Sequence, residues 1–171
     1  AGAENDWYTT NGFNSYNSRM IRVPIVNGDA DLNNPVLLST PGNQIRGDYV
    51  YSLNSILVVS GTDGYPYIPY YSNDYGENWY ATSGINWGGG PGFVKNNILY
   101  IQIDNQLYQT SNGTSFSLLG TYEDSNLQFN KFLTFENSSE VYGVIGTTVY
   151  YANTAEGLLK WTQVTTDFTP T

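Results

Sequence analysis

At 171 residues and 19.0 kDa the chain is long enough to bury a core and short enough to read as a single all-β domain, 1–171. A net charge of −9, a pI near 4.1 and only six basic residues exclude the basic patch that nucleic acid requires. With no His and no Cys, imidazole bases, Ser-His-Asp and Cys-His nucleophiles, thiolate or imidazole zinc sites and disulfides are all excluded.

No stretch of eleven or more residues repeats apolar side chains at i, i+3 and i+4, and Gly, Asn, Ser and Thr interrupt the chain every 8 to 12 residues. The prediction is therefore strands throughout, with apolar runs too short to cross a bilayer as helices. In chain order, Trp7 to Gly12, followed by Phe13 and Tyr16, reads as a degenerate turn, and Ser18 to Val26 as a strand-like run. Together they suggest the outer half of an irregular first unit, about 7–45, whose inner half is missing. Asp29, Asp31 and Asn33 alternate like the oxygen ligands of a calcium loop, but Asn34 stands where an EF-hand needs glycine and no Glu follows at the twelfth position. A solvated turn before Pro35 is the preferred reading; calcium is the one cofactor considered, and otherwise none is expected.

Three fuller units follow, about 48–84, 91–120 and 129–165, each with four short strands. The first has Tyr49 to Leu53, Ser55 to Ser60, Tyr67 to Tyr71 and Trp79 to Thr82. The second has Gly92 to Val94, Ile98 to Ile103, Gln106 to Thr110 and Ser115 to Leu119. The third has Lys131 to Phe135, Glu140 to Ile145, Thr148 to Tyr151 and Lys160 to Val164. The second strand of each is its most continuously apolar, as in Ile56 to Val59, Ile98 to Ile101 and Val141 to Ile145. A strand without alternation is expected to be buried on both faces.

The turn between the third and fourth strands recurs. Its best copy has Ser72, Asp74, Gly76 and Trp79; a second has Thr110, Asn112, Gly113 and Phe116; a third keeps Gly157 and Trp161 around a longer loop. The hydroxyl and the Asp or Asn can bind backbone N–H groups, the glycine supplies positive φ, and the aromatic covers the turn. The glycines lie 37 and 44 residues apart, close to the roughly 40-residue period of four-stranded blades. The best copy resembles the Asp-box, or bacterial neuraminidase repeat, of sialidase-like β-propellers. That resemblance implies a propeller-like array of antiparallel blades, three full and one partial, in which the box is structural and lies away from the functional face. The alternative architecture is a β-sandwich, which needs no repeat. Three full units cannot close a ring of the usual four to eight blades, so the readings left open are an irregular first blade, closure by oligomerisation, or a fragment of a longer protein. A chain beginning at Ala1, without Met or a signal-like segment, points to processing or trimming.

The resemblance also sets the enzyme hypothesis. A sialidase would need an arginine trio drawn from different blades, whereas Arg19, Arg22 and Arg46 all fall in the first unit; no enzyme is the reading taken. Aromatic residues make up 16% of the chain against 12% charged, a polar, neutral surface with flat rings that suits protein or sugar contacts. On the face opposite the boxes, Asp63, Tyr65, Trp87, Tyr122 and Asp124 are the candidate ligand-binding residues, with Trp87 foremost because Gly88 to Gly90 give it little local core. The function expected is a non-catalytic binding or assembly module. Its composition resembles that of phage virion proteins of tail, fibre or capsid surface, hence an extracellular or virion-surface location and a homo-oligomer. A lectin-like carbohydrate binder and a degenerate glycosidase are the alternatives. Arg46-Gly47-Asp48 and the sequons at Asn112 and Asn137 coincide with common short motifs and carry no assignment.

Overall fold

The computed structural model describes residues 7–10, 20–27, 29–38, 49–60, 68–85 and 90–165. Every regular element among them is a strand. The N-terminal part contains β1 (Trp7–Thr10), β2 (Met20–Val23), the two-residue strands β3 (Ile25–Val26) and β4 (Asp29–Ala30), and β5 (Val36–Leu38). Strands β1, β2 and β5 pair as one antiparallel sheet, with the β3–β4 hairpin interposed. Next come β6 (Tyr49–Leu53), β7 (Ile56–Ser60), β8 (Tyr70–Ser72) and β9 (Tyr80–Ala81), a four-stranded meander paired in sequence order. The same order recurs in β10 (Gly92–Lys95), β11 (Ile98–Ile103), β12 (Gln106–Thr110) and β13 (Ser117–Thr121), and again in β14 (Lys131–Thr134), β15 (Glu140–Ile145), β16 (Thr148–Asn153) and β17 (Thr162–Gln163).

The tight turns explain the abundance of asparagine. Asn27, Asn54, Asn96 and Asn97 all have positive φ, between 50° and 59°. Asn96 and Asn97 form the two-residue link from β10 to β11, where both central positions must be left-handed if the turn is to match the strand twist. Short amide side chains tolerate that region better than most residues. Asparagine here sets hairpin geometry as well as surface polarity.

The four sheets stand side by side, each presenting its first strand to the next: β1 lies beside β6, β6 beside β10, and β10 beside β14. This corrects the reading of the N-terminus. Trp7 to Thr10 is the inner strand of the first sheet, not a turn copy at its outer edge, because it pairs with β2 along its whole length. The fourth strands β9 and β17 are shorter than predicted, and β13 begins two residues later than Ser115 because the preceding turn holds Thr114 and Ser115 by hydrogen bonds to Asn112.

Packing between sheets forms the core. Leu38 and Val59, with Val50 and Trp79, fill the first junction. Leu53, Val58, Ile85, Leu99, Ile101 and Phe116 fill the second. The third is the most aromatic, built on Phe93, Tyr100, Leu107, Tyr122, Phe129 and Val141. In the two middle sheets the second strands are buried on both faces as expected; Leu57, Val58, Leu99 and Ile101 have no exposed surface. In β15 burial alternates instead, with Val141 and Gly143 covered but Tyr142 and Val144 only half-buried. The reason is geometric: among the described residues a sheet lies against one face of this strand and none against the other.

Candidate interaction surface

The first two turns between third and fourth strands are local hydrogen-bond circuits seated on the preceding sheet. In the first, the buried Ser72 hydroxyl donates to Asp74 Oδ1 (2.7 Å) and accepts from the N–H groups of Gly76 (2.8 Å) and Asp74 (3.3 Å). Asp74 then accepts from the Asn78 backbone N–H at Oδ1 (2.9 Å) and from its amide at Oδ2 (2.7 Å). Tyr75 and Gly76 carry the reversal at φ 62° and 89°, and a Cβ on Gly76 would lie 2.6 Å from Leu38 Cδ1. The second turn repeats the circuit with Thr110 and Asn112: the hydroxyl donates to Asn112 Oδ1 (2.9 Å) and accepts from Gly113 N–H (3.0 Å). Gly113 presses on Ile56 of the sheet before it. The third turn has lost the circuit, because Ala152 supplies no hydroxyl; Asn153 Oδ1 accepts from Ala155 N–H alone and Gly157 meets nothing within 4 Å. Its Trp161 still packs inward, against Phe129 at 4.4 Å between ring centroids.

These bonds hold the Asp74 carboxyl below the usual carboxylate range, chiefly through the Asn78 backbone N–H, then the Asn78 amide and the Ser72 hydroxyl. A depressed folded pKa stabilises above the unfolded value, about 4, and that contribution disappears as pH falls through the folded value. The melting temperature should therefore fall as the pH drops below about 4, and fall less in Asp74→Asn. Equal acid sensitivity in the two proteins would rule out Asp74 as a contributor. At neutral pH, Asp74→Ala should cost about 1–2 kcal/mol through the lost acceptor, measurable by denaturant titration, with partner binding retained.

Of the residues assigned to the opposite face, Asp63, Tyr65 and Trp87 lie outside the described residues. The structure corrects the assignment of Tyr122. Its ring is 3% exposed, set edge-on to Phe129 and Trp161, and its hydroxyl donates to Gln102 Oε1 at 3.2 Å. Burial also raises its pKa. A side chain with so little surface is core. Asp124 is exposed, but its Oδ1 accepts from the backbone N–H and amide of Asn126, so it shapes its own turn. Asp31 does likewise, with Oδ1 accepting from Asn33 N–H and Oδ2 from the Asn34 amide, while Asp29 lies exposed in β4. Among the described residues no three acidic side chains are grouped as cation ligands.

The surface that does stand out is the far side of the last sheet. Alternation places Lys131 and Leu133 of β14 on it, followed by Phe135, with Glu140, Tyr142 and Val144 of β15 and Val149, Tyr151 and Asn153 of β16. Leu133, Tyr142 and Tyr151 form one cross-strand row, and Phe135 sets its ring edge-on to Tyr142. Leu133 is 52% and Phe135 59% exposed. Sequence reasoning placed Lys131 to Phe135 in a strand but gave no sign that half of it would face outward uncovered.

No family model and no curated protein matches the sequence. Among solved structures the chain is similar to "YCF48 bound to D1 peptide", a β-propeller, at 13% identity and a TM-score of 0.50. The fold is that of a β-propeller-like array. The match covers 91% of this chain and 52% of that one, so this chain spans about half the length of that structure. Successive meanders with their first strands adjacent fit a propeller and not the two facing sheets of a sandwich.

Proposed function

We propose that this chain is a non-catalytic binding and assembly module that works through protein contacts. The observation carrying this reading is the uncovered apolar face of the last sheet, where Leu133 and Phe135 lie exposed beside Tyr142 and Tyr151. Contiguous exposed apolar surface of this kind marks interaction sites. A structurally similar propeller that holds a peptide supports the choice of protein as partner. The recurrent turns act in this reading as Asp-box-type staples that fix the array, and the Cys-free, acidic composition suits a virion subunit at an extracellular surface. The test is a peptide array probed with the chain and with a Leu133→Asp, Phe135→Asp double variant, alongside fluorogenic glycosides. Retention of apolar, strand-forming peptides by the parent alone, with no glycoside turnover, is the expected result. Turnover abolished by a carboxylate substitution would overturn the reading.

A lectin-like role rests on one feature. A hollow of about 300 Å³ over the second box turn is lined by Gln109, Ser111, Asn112, Ser115 and Ser117, hydroxyls and amides suited to sugar hydroxyls. Glycan-array binding weakened by Gln109→Ala would favour it.

A further inference from the structure

Resting on the reading of this chain as a protein-contact module, we propose that the outer face of the last sheet recognises an extended peptide segment bearing an arginine, an apolar side chain and a carboxylate at every second position. The arginine sits at Glu140, the apolar residue on Leu133 and Tyr151, and the carboxylate at Lys131.

Register sets the order of these groups. Leu133 and Tyr151 flank Tyr142 in one cross-strand row. One step toward the β14–β15 turn, the same register continued sets Phe135 beside Glu140, and one step the other way Lys131 stands opposite Val144. Glu140 to Val144 is four residues of strand, about 13 Å, which an extended peptide spans between its own positions i and i+4. The face is anionic at one end, apolar in the middle and cationic at the other. Glu136, exposed in the turn, adds to the anionic end.

Glu140 makes this face unlike the junctions inside the array. The residue after it, Val141, pairs with Ala152 at the start of its turn, as Leu57 does with Ser72 and Leu99 with Thr110. The positions equivalent to Glu140 are therefore Ile56 and Ile98. Ile56 receives Gly113 of the following sheet, and Ile98 packs on the aromatic core beneath the last one. A carboxylate in that place suits a charged partner, since packing against an apolar one would bury it without a counter-charge. The Tyr142 hydroxyl donates to Glu140 Oε2, which fixes the carboxylate and leaves Oε1 open. Among the described residues no bond or ion pair engages Glu140 Oε1 or Lys131 Nζ. Lys95 also reaches this turn, but from the inner side, where it is 6% exposed and donates to the Phe135 carbonyl oxygen at 2.6 Å.

The rings select arginine. Phe135 is 59% exposed and edge-on to Tyr142 at 6.0 Å between centroids, with Tyr151 at 6.5 Å on its other side. A planar, weakly hydrated guanidinium bonds a carboxylate and stacks on a ring at once, which an ammonium does less well. The test measures binding of labelled peptides carrying arginine, leucine and aspartate at every second position to the full chain. Citrulline in place of the arginine should weaken binding about tenfold, as an exposed ion pair and one cation–π contact together imply. Glu140→Gln should lose a similar factor, and Tyr142→Phe, which keeps the ring but releases the carboxylate, somewhat less. A second arginine in place of the aspartate should also weaken binding to the parent, and strengthen it to Lys131→Glu. The citrulline exchange leaves the protein untouched, so it decides the matter if a variant fails to fold. Equal binding of arginine and citrulline peptides, or indifference to Glu140→Gln in a folded protein, would overturn the proposal. If that binding were still lost in Leu133→Asp, the protein-contact reading would stand without it; a face that retained no apolar peptide at all would end both.

Discussion

Gly84→Ala should lower stability by at least ~3 kcal/mol, the sum of an unfavourable left-handed backbone and a displaced neighbour. Gly84 has φ +80°, and a Cβ there would lie 1.8 Å from the Phe116 carbonyl oxygen. No rotamer change relieves that contact, since the obstructing atom belongs to the backbone. The site is also where the second and third sheets are tied: Ser83 N–H donates to Thr114 O at 3.0 Å, and Phe116 N–H to Ser83 O at 2.8 Å. Moving Phe116 would strain both bonds and the burial of its ring. For a chain of this length the melting temperature should fall by roughly 6–12 °C. A shift of one or two degrees would show that the strands slide apart without cost and that the tie is incidental.

Tyr122→Ala should destabilise comparably, by about 3–5 kcal/mol, the range for emptying an aromatic from a packed core. Tyr122→Phe should cost only about 1 kcal/mol, because Gln102 Oε1 would keep its bond from Phe129 N–H (3.2 Å). The pair of variants separates a core role from a recognition role. Calorimetry showing Tyr122→Ala as stable as the parent, with partner binding gone, would return this residue to the surface.

The misreading of Tyr122 shows what local sequence withholds. Its neighbours Glu123, Asp124 and Ser125 are polar and exposed, and nothing nearby marks the tyrosine as different. What draws it inward is Gln102, twenty residues earlier, and the rings of Phe129 and Trp161, which lead into strands β14 and β17. The recurrent turns were legible for the opposite reason. Ser72, Asp74 and Gly76 satisfy one another within five residues, so their chemistry is written contiguously. Likewise Ile98 to Ile103 and Glu140 to Ile145 fall where apolar runs between turn residues placed them. The exposed face was not legible, because alternation assigns side chains to faces and says nothing of what covers each face. Nor was the role of Trp7 to Thr10, since a short aromatic-threonine run ending before Asn11 and Gly12 serves equally as turn or strand until its partner β2 is known.

The seating of Gly76 on Leu38 and of Gly113 on Ile56 gives the array a direction. A turn that closes against the sheet before it needs that sheet already in place, whereas it needs nothing from the sheet after it. During synthesis the earlier unit emerges first, so each staple forms onto a surface that exists. Loss of the N-terminal sheet would strip support from Gly76 and Trp79 and weaken the units downstream in turn, as in any one-dimensional stack of coupled repeats. Loss of the last sheet would instead leave the earlier staples intact. Support thus runs one way through the array, the first two turns each resting on the sheet before them.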